Sequence, residues 1–390
     1  MVSCSGLLRM AGSFVPRAQP PMTFTGFDHV KWYVGNAKQA ADWYVVHFGF
    51  KRVAYRGLET GSRKSVSQVI AQNNIVWEFI SSYAPDASDS INHEVALHGD
   101  GVKDIAFGVD DCRVAFEYAK SKGAKVISEV QELKDEHGSV ILATIQTYGD
   151  TWHTFVQRKD YKGPFLPGYI AISEESPFAN FTPAVGLGFI DHIVGNQPDN
   201  EMVPVVEWYE NTLNFHRFWS VDDKMMHTEY SALRSTVVAD FDEKIKLPIN
   251  EPAMGKRKSQ IQEYVDYYGG PGAQHIALRT DDILHSIKQL RARGVKFLTV
   301  PKTYYTNLWE KLKSSPTKVK EDLKTIEELS ILVDYDDKGY LLQIFTQPVQ
   351  DRPTVFHEII QRNNHNGFGA GNFKSLFEAI EREQAARGNL

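Results

Sequence analysis

Near the start of this chain stands Gly26-Phe27-Asp28-His29-Val30, and it returns as Gly188-Phe189-Ile190-Asp191-His192-Ile193 with a similar order of segments after it. Each copy leads into a helical segment with a Trp-Tyr pair, Trp43-Tyr44 and Trp208-Tyr209. Each then enters a Phe-bearing stretch that reads as a strand, His47-Phe48-Gly49-Phe50 and Leu213-Asn214-Phe215-His216. Further on, Asp100 to Phe107 matches Gly270 to Leu278, so that Asp104 stands where His275 does. Asp110-Asp111 and Asp281-Asp282 open a helix in each half; these helices end at Gly123 and Gly294, before strands at Ala124-Lys125-Val126-Ile127 and Val295-Lys296-Phe297-Leu298. Ile141 to Val156 is the counterpart of Ile331 to Phe345 in this reading. A period this long means duplicated domains built from strand-helix-strand units, an α+β chain, rather than a solenoid.

The pattern divides the chain into a flexible N-terminal extension (1–25), a first module (26–160), a linker rich in Pro, Gly and Ser (161–187) and a second module (188–390). An insertion, Tyr304 to Leu329, interrupts the second module, and its Lys311 to Glu328 portion has the alternating charge of a solvated surface helix. The 390 residues, 42% hydrophobic and 12% aromatic, suffice for packed cores. A net charge of -6 with interleaved signs offers nothing to a phosphate backbone, which excludes nucleic acid, and no apolar stretch is long enough to span a bilayer. Cys4 and Cys112 are the only cysteines; they exclude a disulfide framework or thiolate zinc cluster and suit a reducing, cytoplasmic setting. The extension has no acid before Asp28 and carries Arg9 and Arg17 among serines. That is the composition of an unstructured tail or, as the lesser alternative, of a mitochondrial presequence.

Chemistry concentrates in the second module. Tyr340 to Phe345 reads as a buried strand, with Gln343 and Phe345 on one face, and Thr354 to Ile360 as another, with Phe356, Glu358 and Ile360 on one face. A carboxylate among apolar neighbours is costly to bury unless paired, hydrogen-bonded or metal-bound. His29 and His192 occupy equivalent positions, but only the second half adds a second histidine, His275, where the first has Asp104. Two imidazoles and a carboxylate from three strands make a facial triad that leaves coordination sites open on an iron(II) ion. Taken singly, either histidine is more often a satisfied core residue; the pairing across the repeat favours the ligand reading. On residues alone Asp334 and Asp336 stay open beside Glu358 as the carboxylate, and His29 is the competing histidine. The other histidines, His153 and His357 among them, read as turn, helix-face or loop-edge residues without partners. Last, Asn366 to Phe373 is a glycine-rich turn before a helix, Lys374 to Arg387, that either covers a pocket or simply docks on the core.

Several segments resemble the 4-hydroxyphenylpyruvate dioxygenase family from Phe27 to the C-terminus: Arg56 to Arg63, Asp191 to Asn196, Ser259 to Tyr264, Gln274 to Ala277 and Gly367 to Phe373. The resemblance implies two tandem vicinal-oxygen-chelate modules, glyoxalase/bleomycin-resistance-like and built of paired βαβββ units, with a C-terminal lid helix. It places the ligands of one Fe(II) per chain on His192, His275 and Glu358, which selects Glu358 over the two aspartates. It implies oxidation of 4-hydroxyphenylpyruvate by O2 to homogentisate and CO2, the keto acid chelating the metal itself. Gln274, Gln260, Ser235 and Asn250 would orient the substrate, with Gln343 near the iron. Phe345 and Phe368 would sandwich the ring, and Asn372, Phe373 and Phe377 would close the lid. A homodimer is implied by the family only. The alternatives are a 4-hydroxymandelate synthase, an extradiol ring-cleaving dioxygenase, whose acid/base residues are not found, and a metal-free binding protein on the same scaffold.

Overall fold

The computed structural model describes residues 20–86, 88–172, 182–221 and 232–389. The extension through residue 19 and residues 173–181 of the linker lie outside them. The first half runs β1 (Phe24–Tyr33), α1 (Ala37–Phe48), β2 (Lys51–Arg56), β3 (Ser65–Gln72), β4 (Ile75–Ser82), α2 (Ser90–His98), β5 (Gly101–Val109), α3 (Cys112–Ser121), β6 (Lys125–Asp135), β7 (Gly138–Gln146), β8 (Trp152–Arg158) and a short β9 (Ile170–Ala171). The second runs β10 (Leu187–Asn196), α4 (Met202–Leu213), β11 (His216–Val221), β12 (Ala232–Ala239), β13 (Lys246–Ala253), α5 (Gln260–Tyr268), β14 (Gly272–Thr280), α6 (Ile283–Ala292), α7 (Lys302–Lys313), α8 (Leu323–Glu328), β15 (Leu332–Tyr335), β16 (Tyr340–Phe345), β17 (Phe356–Asn363) and α9 (Phe373–Ala386).

Two sheets result, ordered β6-β7-β8-β5-β1-β4-β3-β2-β9 and β11-β12-β13-β10-β14-β17-β16-β15. Their central strands correspond, giving the tandem α+β modules that the sequence suggests. Three local expectations are corrected. His47-Phe48 and Leu213 end helices rather than begin strands, because Gly49 (φ 73°) and Asn214 (φ 56°) take the left-handed conformation that terminates α1 and α4. Val295 to Leu298 forms no strand, only a bridge from Phe297 to Thr346, because α7 and α8 are inserted where β6 runs on in the first half. The insertion is two short helices, not one solvated helix, and it buries Tyr305, Leu308, Leu312 and Ile326.

A further correction concerns alignment. β5 pairs in parallel with β8, Asp104 opposite Trp152, and β14 pairs in parallel with β17, His275 opposite Phe356. β8 is therefore the counterpart of β17, and β7 of β16, so Ile141 to Val156 matches β16 and β17 rather than Ile331 to Phe345. Thr154 stands where Glu358 does. The strand expected from Thr354 begins at Phe356 and continues to Asn363.

One apolar core runs through both halves, and among the buried bonds that cross between them two join a tyrosine hydroxyl to an imidazole. Tyr44 on α1 reaches His357 on β17, hydroxyl to Nε2 2.9 Å, and Tyr209 on α4 reaches His153 on β8 at 2.7 Å. Both imidazoles are fully buried strand residues rather than partnerless loop histidines. Burial holds them neutral, with pKa values pushed down to about 3 for His357 and about 4 for His153. The phenol therefore donates in each pair.

Candidate active site

The alternation of strand side chains aims His192 of β10, His275 of β14 and Glu358 of β17 at one point. Their ligand atoms lie within 4.8 Å of one another, with Glu358 Oε2 3.2 Å from His192 Nε2 and 3.4 Å from His275 Nε2. All three residues are buried. Each imidazole has its other nitrogen occupied: His192 Nδ1–H donates to Asp191 at 2.8 Å, and His275 Nδ1–H to the Gln274 amide oxygen at 2.9 Å. Both Nε2 lone pairs are thus turned toward the carboxylate, the tautomer a metal ligand needs. Asp191 in turn accepts two bonds from Arg362, at 2.7 and 2.9 Å. Burial alone would raise the Asp191 pKa, but Arg362 and His192 hold it well below the carboxylate range. At Glu358 burial likewise raises the pKa, and the two imidazoles more than reverse it. Burial lowers the basicity of His275. At His192 the neighbouring carboxylates outweigh burial and raise it.

Two nitrogen donors and one anionic oxygen, buried and convergent, fit a divalent transition metal better than any arrangement of protein hydrogen bonds alone. Neither aspartate left open by the sequence competes. Asp336 accepts from the N–H groups of Lys338 and Gly339 in the β15–β16 hairpin. Asp334 accepts from Tyr335 N–H and faces the Gly371 backbone under the C-terminal turn.

The first module repeats the supports without the ligands. His29 Nδ1–H donates to Asp28, which accepts two bonds from Arg158, and the edge of Phe165 meets His29 at 4.9 Å as Phe368 meets His192 at 5.1 Å. Asp104 and Thr154, however, are bonded to each other, and Lys31 lies 3.6 Å from Asp104 and 3.9 Å from Glu78. Phe165, Leu166 and Tyr169 fill the rest of that concave face.

In the second module the same face is a cleft that holds about 560 Å³ of space, the open solvent at its mouth included. Of the residues expected to orient a substrate, Ser235 and Asn250, cross-strand partners on β12 and β13, line it with Gln260 and Gln274. Phe345, Phe368, Phe373 and Phe377 line it too. Gln274 differs from expectation in one respect: its oxygen is taken by His275, which leaves its NH2 group as the part that can meet a ligand. Gln343 and Asn372 are not wall residues. Gln343 lies under the turn at Gly369 (φ 78°), where a Cβ would fall 2.1 Å from its Nε2, and its buried amide has no partner among the described residues. Asn372 is held by the Tyr304 hydroxyl at 2.8 Å, tying the turn to α7. Sequence reasoning passed over Phe356, whose ring stacks on His275 at 4.8 Å, and the apolar walls Leu233, Pro248 and Leu376. The alternation that puts Phe356 on the face of Glu358 was the available signal.

A family model for the glyoxalase/bleomycin resistance protein/dioxygenase superfamily matches residues 26–152 and 189–344. A 4-hydroxyphenylpyruvate dioxygenase of Dictyostelium discoideum is 62% identical over 366 residues, 94% of this chain and 100% of the relative. One from Danio rerio is 61% identical over 368 residues, 94% of this chain and 92% of its own. Among solved structures, a mutant of 4-hydroxymandelate synthase from Streptomyces coelicolor superposes with a TM-score of 0.80 at 29% identity, covering 94% of this chain and 100% of the other.

Proposed function

The chain belongs to the 4-hydroxyphenylpyruvate dioxygenase family, and from that premise we propose how its second module carries the reaction. The protein is a dioxygenase that converts 4-hydroxyphenylpyruvate and O2 to homogentisate and CO2, by oxidative decarboxylation, ring hydroxylation and side-chain migration, in tyrosine and phenylalanine catabolism. The observation that carries the mechanism is the buried triad, with both Nδ1 atoms already engaged, opening onto an aromatic cleft.

His192, His275 and Glu358 hold one Fe(II) per chain. When bound, the iron supplies a common site for the keto acid and O2 and carries the redox change. What the chain contributes is position. Phe345 and Phe368 flank the aromatic ring, and Phe356, stacked on His275, fixes both the ligand and the floor of the cleft. Gln260, Ser235 and Asn250 give the otherwise apolar wall its hydrogen-bonding edge, and Gln274, next to His275 on β14, offers its NH2 group as a further donor. The Gln343 amide, buried under the Gly369 turn without a partner among the described residues, is a polar group whose desolvation a bound water or a shift of that turn would offset. Asn372, Phe373 and Phe377 close the lid and keep bulk water out. Module boundaries at 26–160 and 188–390, a homodimer and a cytoplasmic setting belong to this reading; the last two rest on the family resemblance and on cysteine usage.

Nothing in the cleft favours 4-hydroxymandelate synthesis, whose representative is 29% identical against 62% for the dioxygenase. Anaerobic titration of metal-free protein with Fe(II) should saturate at one equivalent in the natural chain. Glu358→Ala should take up none while keeping its far-UV circular dichroism; a full equivalent in that variant would overturn the ligand assignment.

A further inference from the structure

β17 carries two kinds of side chain on opposite faces. Phe356 and Glu358 look into the cleft, and His357 between them looks the other way, into the first module. There it sits in a cage of first-module aromatics. Trp77 stacks on it at 5.2 Å and 20°, Phe48 meets it edge-on at 5.1 Å, and Trp32 lies at 6.3 Å. The Tyr44 hydroxyl donates to its Nε2 at 2.9 Å. Its backbone is pinned as well: His357 N–H donates to Thr346 Oγ1 at 3.0 Å, and its carbonyl accepts from Thr346 N–H at 2.9 Å. Its Nδ1 has no hydrogen-bond partner among the described residues, so the Tyr44 hydroxyl and the rings hold the imidazole.

We infer that Tyr44, from the module without a metal site, is a positioning residue for the metal carboxylate Glu358. A metal site tolerates only a few tenths of an ångström in its ligand positions. Glu358 is covalently next to His357, so whatever fixes the height and tilt of His357 along the strand fixes the origin of the carboxylate. The second module does not supply the whole of that restraint by itself; it is the phenol and rings of α1, β1 and β4 that grip the imidazole. A first module that has filled its own cleft thereby still serves the reaction.

The fold contains its own control. Tyr209 on α4 makes the equivalent buried bond to His153 on β8, 2.7 Å. The residue after His153 is Thr154, which binds Asp104 and no metal. Tyr44→Phe and Tyr209→Phe each remove one phenolic oxygen from a buried bond to an imidazole Nε2; Tyr209→Phe also takes away the acceptor of the Thr147 hydroxyl at 3.2 Å, so a purely structural role makes it no milder than Tyr44→Phe. The inference rests on Glu358 being a ligand. The test is anaerobic competition of Fe(II) between protein and a chelator, with denaturation midpoints read on the same samples. Tyr44→Phe should bind Fe(II) about tenfold more weakly, within the usual range for a lost outer support, and excess Fe(II) should restore its turnover. Tyr209→Phe should lose at least as much stability yet bind Fe(II) as the natural chain does. Equal Fe(II) affinity in the two variants would overturn the inference. Fe(II) retained by Glu358→Ala would instead overturn the ligand assignment beneath it. Should Tyr44→Phe fail to fold, His357→Leu against His153→Leu, which delete the acceptors of the same two bonds and keep an apolar filler, carries the same comparison.

Discussion

At the scale of single residues, the site depends on groups that never reach the cleft. Asp191 fixes the His192 tautomer through its Nδ1–H and is itself fixed by Arg362. Asp191→Asn keeps the shape but removes the charge that both partners answer. It should weaken metal affinity by about 10- to 100-fold with the fold retained, as read by chelator competition. The same arrangement around His29 has Asp104 and Thr154 in the places of His275 and Glu358, so His29→Ala should leave metal content unchanged by elemental analysis; a lost equivalent would move the site to the first module. His192, His275 and Glu358 were legible in the sequence as candidates because residue type, the repeat and strand alternation bring them forward. The Asp191–Arg362 pair was not. Its partners are 171 residues apart, and only folding brings them together. The same holds for His153 and His357, which read as unremarkable until their tyrosines arrive from the other module.

The element that governs access is α9 with the turn before it. Gly369 adopts φ 78° over Gln343, a place no side chain can occupy, and Asn372 is tied to Tyr304 of the insertion. At its far end, Arg387 and Asn389 bind Glu263 on α5 at 2.8 Å each, and α5 begins with the cleft residue Gln260. The lid and one wall are thus latched together. Arg387→Ala removes a partly exposed charge-assisted bond of about 1 kcal/mol. It should raise KM for 4-hydroxyphenylpyruvate about fivefold, the factor that such a loss corresponds to, and leave Fe(II) uptake unchanged; steady-state kinetics beside metal analysis checks this. The helix and its glycine-rich turn were readable from composition. The latch was not, nor were the ends of α1 and α4, where Phe-rich sequence suggests strand but a left-handed Gly49 or Asn214 has already stopped a helix.

Across the whole molecule, the two modules share a core and exchange one Tyr–His bond in each direction. This gives the fold a pH dependence of known sign. His153 has a folded pKa of about 4 against an ordinary 6.5, so it is neutral in both states above about pH 6.5 and costs nothing there. As pH falls below that value the unfolded chain takes up a proton that the buried imidazole refuses, and stability declines until the folded pKa is reached. At about pH 5 this amounts to roughly 2 kcal/mol. His153→Gln, which can still accept from Tyr209, should flatten the fall in urea-unfolding free energy between about pH 7 and pH 5 by that amount. The tandem plan was visible in the sequence because the motifs around His29 and His192 survive. The matching of β8 to β17 was hidden: α7 and α8 shift the spacing, and Thr154 shares nothing with Glu358 but its place in a parallel pairing. The chemistry of the whole molecule is read most directly by anaerobic reconstitution with Fe(II) followed by 4-hydroxyphenylpyruvate and O2, with the product identified by chromatography and mass. Homogentisate is the predicted product; 4-hydroxymandelate would contradict ring hydroxylation and move the oxidation to the benzylic carbon.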